Sequence, residues 1–352
     1  MSATHASVWD QVVGQEHAVS QLRASATEPV HAYLFLGPSG STKEQAARAF
    51  AARLLSGSDD ASARDARLVL AGEHPDVREV QRAAATISTE QIREIVRLAA
   101  MAPVEGIRQV IILHEFHLLT AMGAAALLKT IEEPPPSTIF IVLADMMTTD
   151  LVTIASRCAR VDFRALNAST IAQVLVTEGT DPTRAELAAV AAAGNLRRAR
   201  VLVADPELER RRQAFADVPR RLDGTGAMVV RLTAELFGLI ESAAEPLTQR
   251  QAAEAAELDE RIKMVGERGG GRKQLEDRHK REQRRHRVDE LRSGLATMAG
   301  TYRDALVART AARAEGPVSA VSRIHQSIAA LERNPNETLL IQALLLDLPT
   351  LD

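Results

Sequence analysis

Short apolar runs, each long enough for one buried strand, alternate with helical stretches in the first 163 residues. The runs YLFL, QVIIL, TIFIVL and ARVDF predict strands at residues 33–36, 109–113, 138–143 and 159–163, and a helix is predicted at 122–131. Apolar strands that alternate with helices are typical of a doubly wound parallel sheet. The ligand site of such a sheet lies at the carboxyl ends of its strands.

The strand signal ends at residue 163, and the remaining pattern has a helical period. Small amphipathic helices punctuated by Gly179 and Gly194 fill residues 167–204, and the final apolar segment ETLLIQALLLDL is followed by Pro349. We therefore predict three domains. They are an α/β domain at 1–163, a small helical domain at 164–206 and a larger helical domain at 207–352.

Composition narrows the class of protein further. The chain has 352 residues, 46% hydrophobic and 25% charged, which indicates a multidomain globular protein and excludes disordered and fibrous classes. Its net charge of -3 excludes a polycationic binder of nucleic acids, so any basic surface must be local. The single cysteine, Cys158, excludes an internal disulfide, and no membrane-spanning run or signal sequence is visible. These features predict a cytoplasmic protein.

A glycine loop follows the first predicted strand and precedes a helix. It reads GPSGSTKE at residues 37–44, whereas a phosphate-binding loop reads G-x-x-x-x-G-K-[ST]. Gly37 and Lys43 match that pattern, and Gly40 lies inside the loop. Thr42 replaces the second glycine, and Glu44 replaces the hydroxyl residue that would bind Mg²⁺. The negative charge of Glu44 would also repel a bound phosphate.

The metal-binding half of such a site is altered as well. After the strand QVIIL comes His114-Glu115, where a carboxylate pair would be expected, and a neutral imidazole is a poor ligand for Mg²⁺. Three interpretations remain open from the residues alone. The loop belongs to a working ATPase, to a vestigial cradle that binds nucleotide weakly, or to a structural relic that binds none, which these losses favour.

Residues 261–292 form a basic insert with twelve Lys and Arg against six Asp and Glu. Pairs at i,i+4, Glu276 with Lys280 and Asp277 with Arg281, predict a solvated charged helix after a glycine joint at 269–271. The alternative is an arm that contacts nucleic-acid phosphates. Its candidate contact residues are Arg272, Lys273, Lys280, Arg281, Arg284 and Arg285.

Several segments together resemble the bacterial clamp-loader AAA+ subunits, and most of all the delta-prime group of DNA polymerase III. These segments are VVGQ at 12–15, HAYLFLGPSG at 31–40, EHPDV at 73–77, ALLKTIEEPPPSTIFI at 126–141 and SRC at 156–158. The resemblance implies an AAA+ ATPase-like domain at 1–163, a helical lid at 164–206 and a helical collar for oligomerisation at 207–352.

The resemblance also implies a role without intrinsic ATPase activity. A delta-prime-like subunit sits beside an active ATPase subunit and presents an arginine finger to its nucleotide, and the matching residue here is Arg157. The implied partners are gamma/tau-like ATPase subunits and a delta-like subunit in a hetero-pentameric ring, with the sliding clamp and primed DNA reached through the complex. The polymerase activity belongs to that holoenzyme.

The other expectations concern cofactors and isolated candidate residues. Arg197 matches the lid arginine of the family, and without a working cradle we expect it to form a salt bridge at the surface. Relatives with a zinc module carry four cysteines where this chain has none, so we expect no zinc and no cofactor beyond weak, vestigial binding of ATP. We expect His74 and His117 to be ordinary hydrogen-bonded histidines, and Cys158 to be no catalytic thiol.

Two rival functions remain open. The chain could be an ATP-hydrolysing gamma/tau-like motor subunit that tolerates the altered loop, or a DNA-binding AAA+ adaptor that acts through the basic insert. Tight Mg²⁺-dependent ATP binding with turnover distinguishes the first, and binding to DNA that weakens steeply with salt distinguishes the second.

Overall fold

The computed structural model describes residues 6–81, 86–265, 270–308, 315–331 and 335–351. Within these, the chain divides into two compact units. The first comprises the described residues up to Thr177 together with Ala193–Arg198, and the second comprises Glu178–Ala192 and the described residues from Ala199 onward. The domain boundaries expected at 163/164 and 206/207 remain predictions.

Helices and parallel strands alternate in the first unit. Its strands are β1 (Ala32–Leu36), β2 (Val77–Val80), β3 (Gln109–Leu113), β4 (Thr138–Ala144) and β5 (Ala159–Asp162). Its helices are α1 (Glu16–Ser25), α2 (Lys43–Ser56), α3 (Arg64–Ala71), α4 (Thr89–Ala99), α5 (Ala121–Glu132), α6 (Thr149–Ala155) and α7 (Ala168–Thr177). The alternation confirms the predicted doubly wound α/β class.

The strands form one sheet in the order β2-β3-β4-β1-β5, and every pairing is parallel. Side chains of each strand alternate between two apolar layers. Tyr33 and Phe35 lie in the layer that also holds Phe50 of α2, whereas Leu34 lies in the layer that holds Ile92 of α4. Both faces are therefore buried under helices, and the ends of the strands carry the exposed chemistry.

The four strands predicted from apolar runs are confirmed within one residue at each end, but β2 was missed. Its sequence, VREV, is half-charged because β2 is an edge strand whose residues are only partly buried. The periodicity of an apolar run does not reveal such a strand.

The second unit is helical throughout its described residues. Its helices are α8 (Pro182–Ala191), α10 (Leu208–Arg221), α11 (Gly226–Ala243), α12 (Glu245–Val265), α13 (Gly270–Val307), α14 (Glu315–Ala330) and α15 (Glu337–Asp347), while α9 (Leu196–Val203) begins in the first unit and ends in the second. Apolar residues of α10, α11, α13, α14 and α15 form one core. The predicted helical C-terminal half is thus confirmed.

A buried ion network ties α10 to α13 in this unit. Arg211 of α10 is 3% exposed, and its Nε donates to Glu290 Oε2 of α13 at 3.0 Å. Its Nη2 donates to Asp205, which precedes α10. A charged side chain is tolerated in this core because carboxylates from two other segments neutralise it.

Candidate functional site

The glycine loop lies at the carboxyl end of β1 and leads into α2, as predicted. The Gly37 amide donates to the Ala144 carbonyl at 3.1 Å, so the loop is joined to the end of β4. A Cβ atom at Gly37 would lie 2.3 Å from the carbonyl oxygen of Phe163, which excludes any larger residue. The glycine loop therefore lies at the carboxyl edge of the sheet and packs closely against the segment that follows β5.

Thr42 occupies the position of the missing second glycine and keeps a left-handed backbone, with φ 64° and ψ 16°. A β-branched residue is strained in that region, by about 1–2 kcal/mol relative to glycine. The Thr42 hydroxyl offsets part of this cost because it donates to the Val13 carbonyl at 3.2 Å. Thr42 therefore adopts a left-handed backbone that is supported by its own side chain.

Lys43, the residue that would reach the phosphates, is buried, and its ammonium group binds oxygen atoms of the protein itself. It is 1% exposed, and its Nζ lies 2.7 Å from Asp145 Oδ1 and 3.2 Å from the Pro38 carbonyl oxygen. Glu44 Oε1 lies 3.4 Å from the same nitrogen. Two carboxylates and a carbonyl thus take the place that phosphate oxygens would occupy around this ammonium group.

The segment Gly194–Leu196 also covers the loop. The Leu196 amide donates to the Gly40 carbonyl at 3.3 Å, and a Cβ atom built on Gly40 would lie 2.1 Å from Asn195 Oδ1. Gln15 closes the other side, with its Nε2 donating to the Ser41 carbonyl at 3.0 Å and to the Arg164 carbonyl at 2.7 Å. The loop is packed by the protein on both sides.

We expect Gly40→Ala to destabilise the first unit more than Gly57→Ala does. Both glycines have positive φ, so each substitution carries the same backbone cost of about 1–2 kcal/mol. Nothing lies within 4 Å of a Cβ atom at Gly57, whereas at Gly40 it meets Asn195. Overpacking should add about 1–3 kcal/mol at Gly40, measured by chemical denaturation. Equal losses for the two variants would contradict the tight packing of the loop.

A second polar cluster occupies the ends of β2 and β3. Arg48 of α2 donates to both oxygens of Glu79, at 2.6 and 2.9 Å, and His114 Nε2 lies 3.0 Å from Glu79 Oε2. Burial raises the pKa of Glu79, but the hydrogen bonds from His114 and Arg48 outweigh it and lower the pKa to about 2. His114, predicted as a degenerate metal residue, is instead engaged by this carboxylate.

The low pKa of Glu79 predicts an acid-sensitive contribution to stability. Because the folded pKa lies below the ordinary value of 4.5, the contribution is complete above about pH 4.5 and disappears as the pH falls towards 2. We expect Glu79→Gln to cost about 2 kcal/mol at neutral pH and progressively less below pH 4.5. Urea denaturation at several pH values measures this. The exposed Glu94, changed to Gln as a control, should show no such dependence.

Arg157 lies at the C-terminal end of α6, just before β5, and is partly exposed. Its Nε donates to Glu132 Oε1 of α5 at 2.6 Å, and its Nη1 donates to the Thr153 carbonyl at 2.7 Å and to Ser156 Oγ at 2.9 Å. The guanidinium group is therefore held in one orientation at the rim of the first unit. The segments LLKTIEEPPP and SRC meet through this ion pair.

Part of this chain is similar to known proteins. The family described as "DNA polymerase III, delta subunit" matches residues 14–167. The delta' subunit of Bacillus subtilis (strain 168) DNA polymerase III is 31% identical over 163 residues, which are 45% of this chain and 50% of that protein. The tau subunit of the same organism is 33% identical over 208 residues, 54% of this chain and 36% of that protein. The chain is thus similar in part to the clamp-loader subunits of DNA polymerase III.

This similarity confirms the resemblance drawn from the motifs. The chain spans half or less of the length of these two relatives. Among solved structures, a gamma subunit-related protein of DNA polymerase III from Thermotoga maritima superposes with a TM-score of 0.45 at 13% identity, over 93% of this chain and 97% of that one. Relatives named delta' and relatives named tau both match, so the comparisons do not distinguish between these two kinds of subunit.

The remaining candidate residues have structural surroundings. Burial raises the pKa of the Cys158 thiol to about 12, and its Sγ donates to the Ile154 carbonyl at 3.3 Å, so this thiol is no nucleophile at neutral pH. His74 Nδ1 accepts from the Asp76 amide, and His117 Nδ1 accepts from the Asp145 amide, both at 3.1 Å. The prediction that these two histidines are ordinary hydrogen-bonded residues is confirmed.

Glu115 and Arg197 are the last two residues of the predicted site. Glu115 has a left-handed backbone with φ 55°, directly after His114. Arg197 is exposed on the first turn of α9, and it has no ion-pair partner among the described residues. The expected surface salt bridge of Arg197 is therefore wrong for that part of the chain. It stays available at the surface because no carboxylate described in the structure reaches it.

No group of three or more His, Cys, Asp and Glu side chains in the described ranges is arranged to hold a metal ion. The same ranges contain no helix long and apolar enough to cross a membrane.

Sequence reasoning missed Asp145, Glu79 and Arg48. Asp145 lies two residues after the predicted strand TIFIVL, so its place at the carboxyl edge of the sheet was available as a signal. Glu79 and Arg48 gave no such signal, because β2 was not predicted and Arg48 lies in the middle of a helix.

Proposed function

We propose that this chain is a non-catalytic, delta-prime-like subunit of the DNA polymerase III clamp loader, which donates Arg157 to the nucleotide of a neighbouring ATPase subunit. In this role it helps to load the sliding clamp onto primed DNA during replication. The observation that carries the proposal is that the ammonium group of Lys43 forms ion pairs with Asp145 and Glu44 of this same protein. A clamp-loader subunit with such a loop contributes to ATP turnover through a neighbour.

Three features argue against a motor subunit. The ammonium group of Lys43 is buried and neutralised by the protein, so a phosphate would have to displace a carboxylate at 2.7 Å. Glu44 adds a negative charge where phosphate oxygens would lie. His114 stands where a carboxylate would bind Mg²⁺, and it is hydrogen-bonded to Glu79. We therefore propose that the chain needs no cofactor, neither nucleotide nor zinc, for its own part in the reaction.

The surroundings of Arg157 support a role in trans. Its guanidinium group is always charged and can fork two parallel hydrogen bonds towards phosphate as it does towards carboxylate. Thr153 and Ser156 hold one nitrogen of that group, which reduces the entropy lost when a phosphate binds. Glu132 is itself partly exposed, so a triphosphate from a neighbouring subunit could take its place without a buried charge being left unpaired.

The proposed partners are gamma/tau-like ATPase subunits and a delta-like subunit, arranged in a hetero-pentameric ring. The helix α15 offers one surface for such an assembly. Ile341, Leu344 and Leu345 of α15 are buried in the core of the second unit, while Leu339 and Leu346 are 62% and 58% exposed. Exposed leucines on one helix are typical of a surface that packs against another subunit.

The test is reconstitution with the ATPase and delta-like subunits of the same organism. We expect the purified chain to show no tight binding of Mg²⁺-ATP by calorimetry and no turnover, yet to raise DNA-stimulated turnover when it joins the complex. Tight binding with turnover by the chain alone would overturn the proposal in favour of a motor subunit. A verified complex whose turnover is the same with and without this chain would also overturn it.

A further inference from the structure

The basic insert forms one arm of an antiparallel helical hairpin, α12 and α13, in the second unit. Polar contacts join the two arms. Glu254 of α12 binds Arg278 and His279 of α13, and Glu282 of α13 lies 2.8 Å from Arg250 Nη2 of α12. Glu254 and Glu282 therefore pair with cations on the opposite arm.

The predicted pairing within α13 is corrected by these contacts. Neither Glu276 with Lys280 nor Asp277 with Arg281 forms an ion pair among the described residues. Arg272 pairs instead with Glu276 at 3.4 Å and with Asp259 of α12 at 3.6 Å. Gly270 begins α13, so it is part of a helix and not of a joint, while Gly269 lies outside the described residues.

We define the outer face of α13 by four basic residues, Lys273, Lys280, Arg281 and Arg284. Lys273, Lys280 and Arg284 are exposed, and Arg281 flanks them and is half-buried. The spacings of seven and four residues place the three exposed cations within about 40° of one line along the helix, over about 16 Å. In the described part of the chain these four side chains have no ion-pair partner, unlike Arg272 and Arg285, which both have interactions.

We propose that the outer face of α13 binds the phosphate backbone of duplex nucleic acid. A line of cations about 16 Å long is long enough to contact several phosphates, because duplex DNA carries about one charge per 1.7 Å. The face carries no aromatic side chain on which single-stranded bases could stack. Its one acidic residue is Asp277, which lies between Lys273 and Lys280.

Charge favours a nucleic acid over an acidic protein as the partner. An acidic protein surface that binds tightly usually adds apolar contacts at the centre of the interface. Between Lys273 and Arg284 the outer face offers only charged side chains, which suits contacts that position a protein on phosphates without reading a sequence. This surface lies in the second unit and goes beyond the arginine-donor role of Arg157, on which it does not depend.

The test uses the full chain and a fluorescently labelled 20-base-pair duplex of arbitrary sequence, with anisotropy measured over a series of salt concentrations. Four phosphate contacts predict a slope of log affinity against log salt of about −3.6, or about 0.9 for each contact. We expect the triple variant K273A/K280A/R284A to reduce the slope to about −0.9 and to weaken binding at least tenfold at low salt. The variant D277K should bind more tightly and with a steeper slope.

Matched controls keep the result specific. The variant R67A/R93A/R231A removes three exposed arginines outside the hairpin and should bind the duplex as the wild type does. Arg157→Ala should also retain duplex binding, so failure of this inference and failure of the proposed function give different results. The inference is overturned if the wild type does not bind the duplex at low salt or if the triple variant keeps the wild-type slope. It is also overturned if polyglutamate or anionic vesicles displace the duplex at equal charge.

Discussion

Arg157→Ala is expected to reduce the DNA-stimulated ATP turnover of a reconstituted clamp loader to a small fraction of its wild-type value. An arginine supplied in trans to a phosphoryl-transfer site is worth about 10³ to 10⁵ in rate in well-studied NTPases. In the proposed role the guanidinium group would stabilise charge that develops on the transferred phosphoryl group, and alanine supplies nothing in its place. The measurement is steady-state turnover at a single ATPase site next to this chain, because other active sites in a complex would mask the loss.

Assembly should survive the substitution. Arg157 contacts Glu132, Thr153 and Ser156 within its own unit and is partly exposed, so its loss leaves a solvated carboxylate and no buried charge. Gel filtration of the complex checks this directly. The matched control is Arg160→Ala, which removes a neighbouring arginine that is 54% exposed and paired with Asp162, and it should leave turnover unchanged.

Two further variants separate a finger from a structural ion pair. Arg157→Lys should recover only part of the rate, because an ammonium group cannot fork towards two phosphate oxygens. Glu132→Gln should retain or raise the rate, since it frees the guanidinium group from its internal partner at 2.6 Å. Unchanged turnover for Arg157→Ala in a verified complex would show that the pair with Glu132 is the whole role of Arg157.

The sheet was predictable from sequence because its central strands are buried on both faces. The residues of β3 and β4 are buried without exception, and a fully buried strand appears in a sequence as an uninterrupted apolar run. The edge strand β2 carries Arg78 and Glu79, and its pairing with β3 decides its conformation. The conformation of β2 therefore depends on a tertiary contact, its pairing with β3, which a local sequence pattern does not show.

The altered residues of the candidate site could be identified from the sequence, whereas their contacts in the folded protein could not. Thr42, Glu44 and His114 depart visibly from a known pattern, and each departure has a chemical meaning by itself. The contact between Lys43 and Asp145 joins residues that are 102 positions apart, and only the fold brings them together. The ion pairs predicted within α13 were wrong for a related reason. Asp259, Glu254 and Glu282 of that hairpin have cationic partners on the other helix.

Arg211→Ala is expected to destabilise the second unit by about 3–5 kcal/mol. Removing one partner of a buried ion network leaves the remaining charges less well compensated, which is the costly case for charged groups in a core. Glu290 would lose its hydrogen bond of 3.0 Å to Arg211 while remaining 7% exposed, and Asp205 would lose its ion pair with Arg211. Chemical denaturation followed by far-UV circular dichroism measures the loss in the helical unit.

The neighbouring residue supplies the control. Arg212 pairs with Glu209 at 3.0 Å on the same helix, and the two side chains are 35% and 53% exposed. Such a surface pair contributes at most about 1 kcal/mol, so Arg212→Ala should have a small effect. A joint replacement, D205L/R211M/E290L, removes these three charges together and should recover most of the stability lost in Arg211→Ala, because the penalty comes from poorly compensated charge and not from lost attraction. Equal losses for Arg211→Ala and Arg212→Ala would show that the network is solvated and that α10 and α13 are held together by their apolar contacts alone.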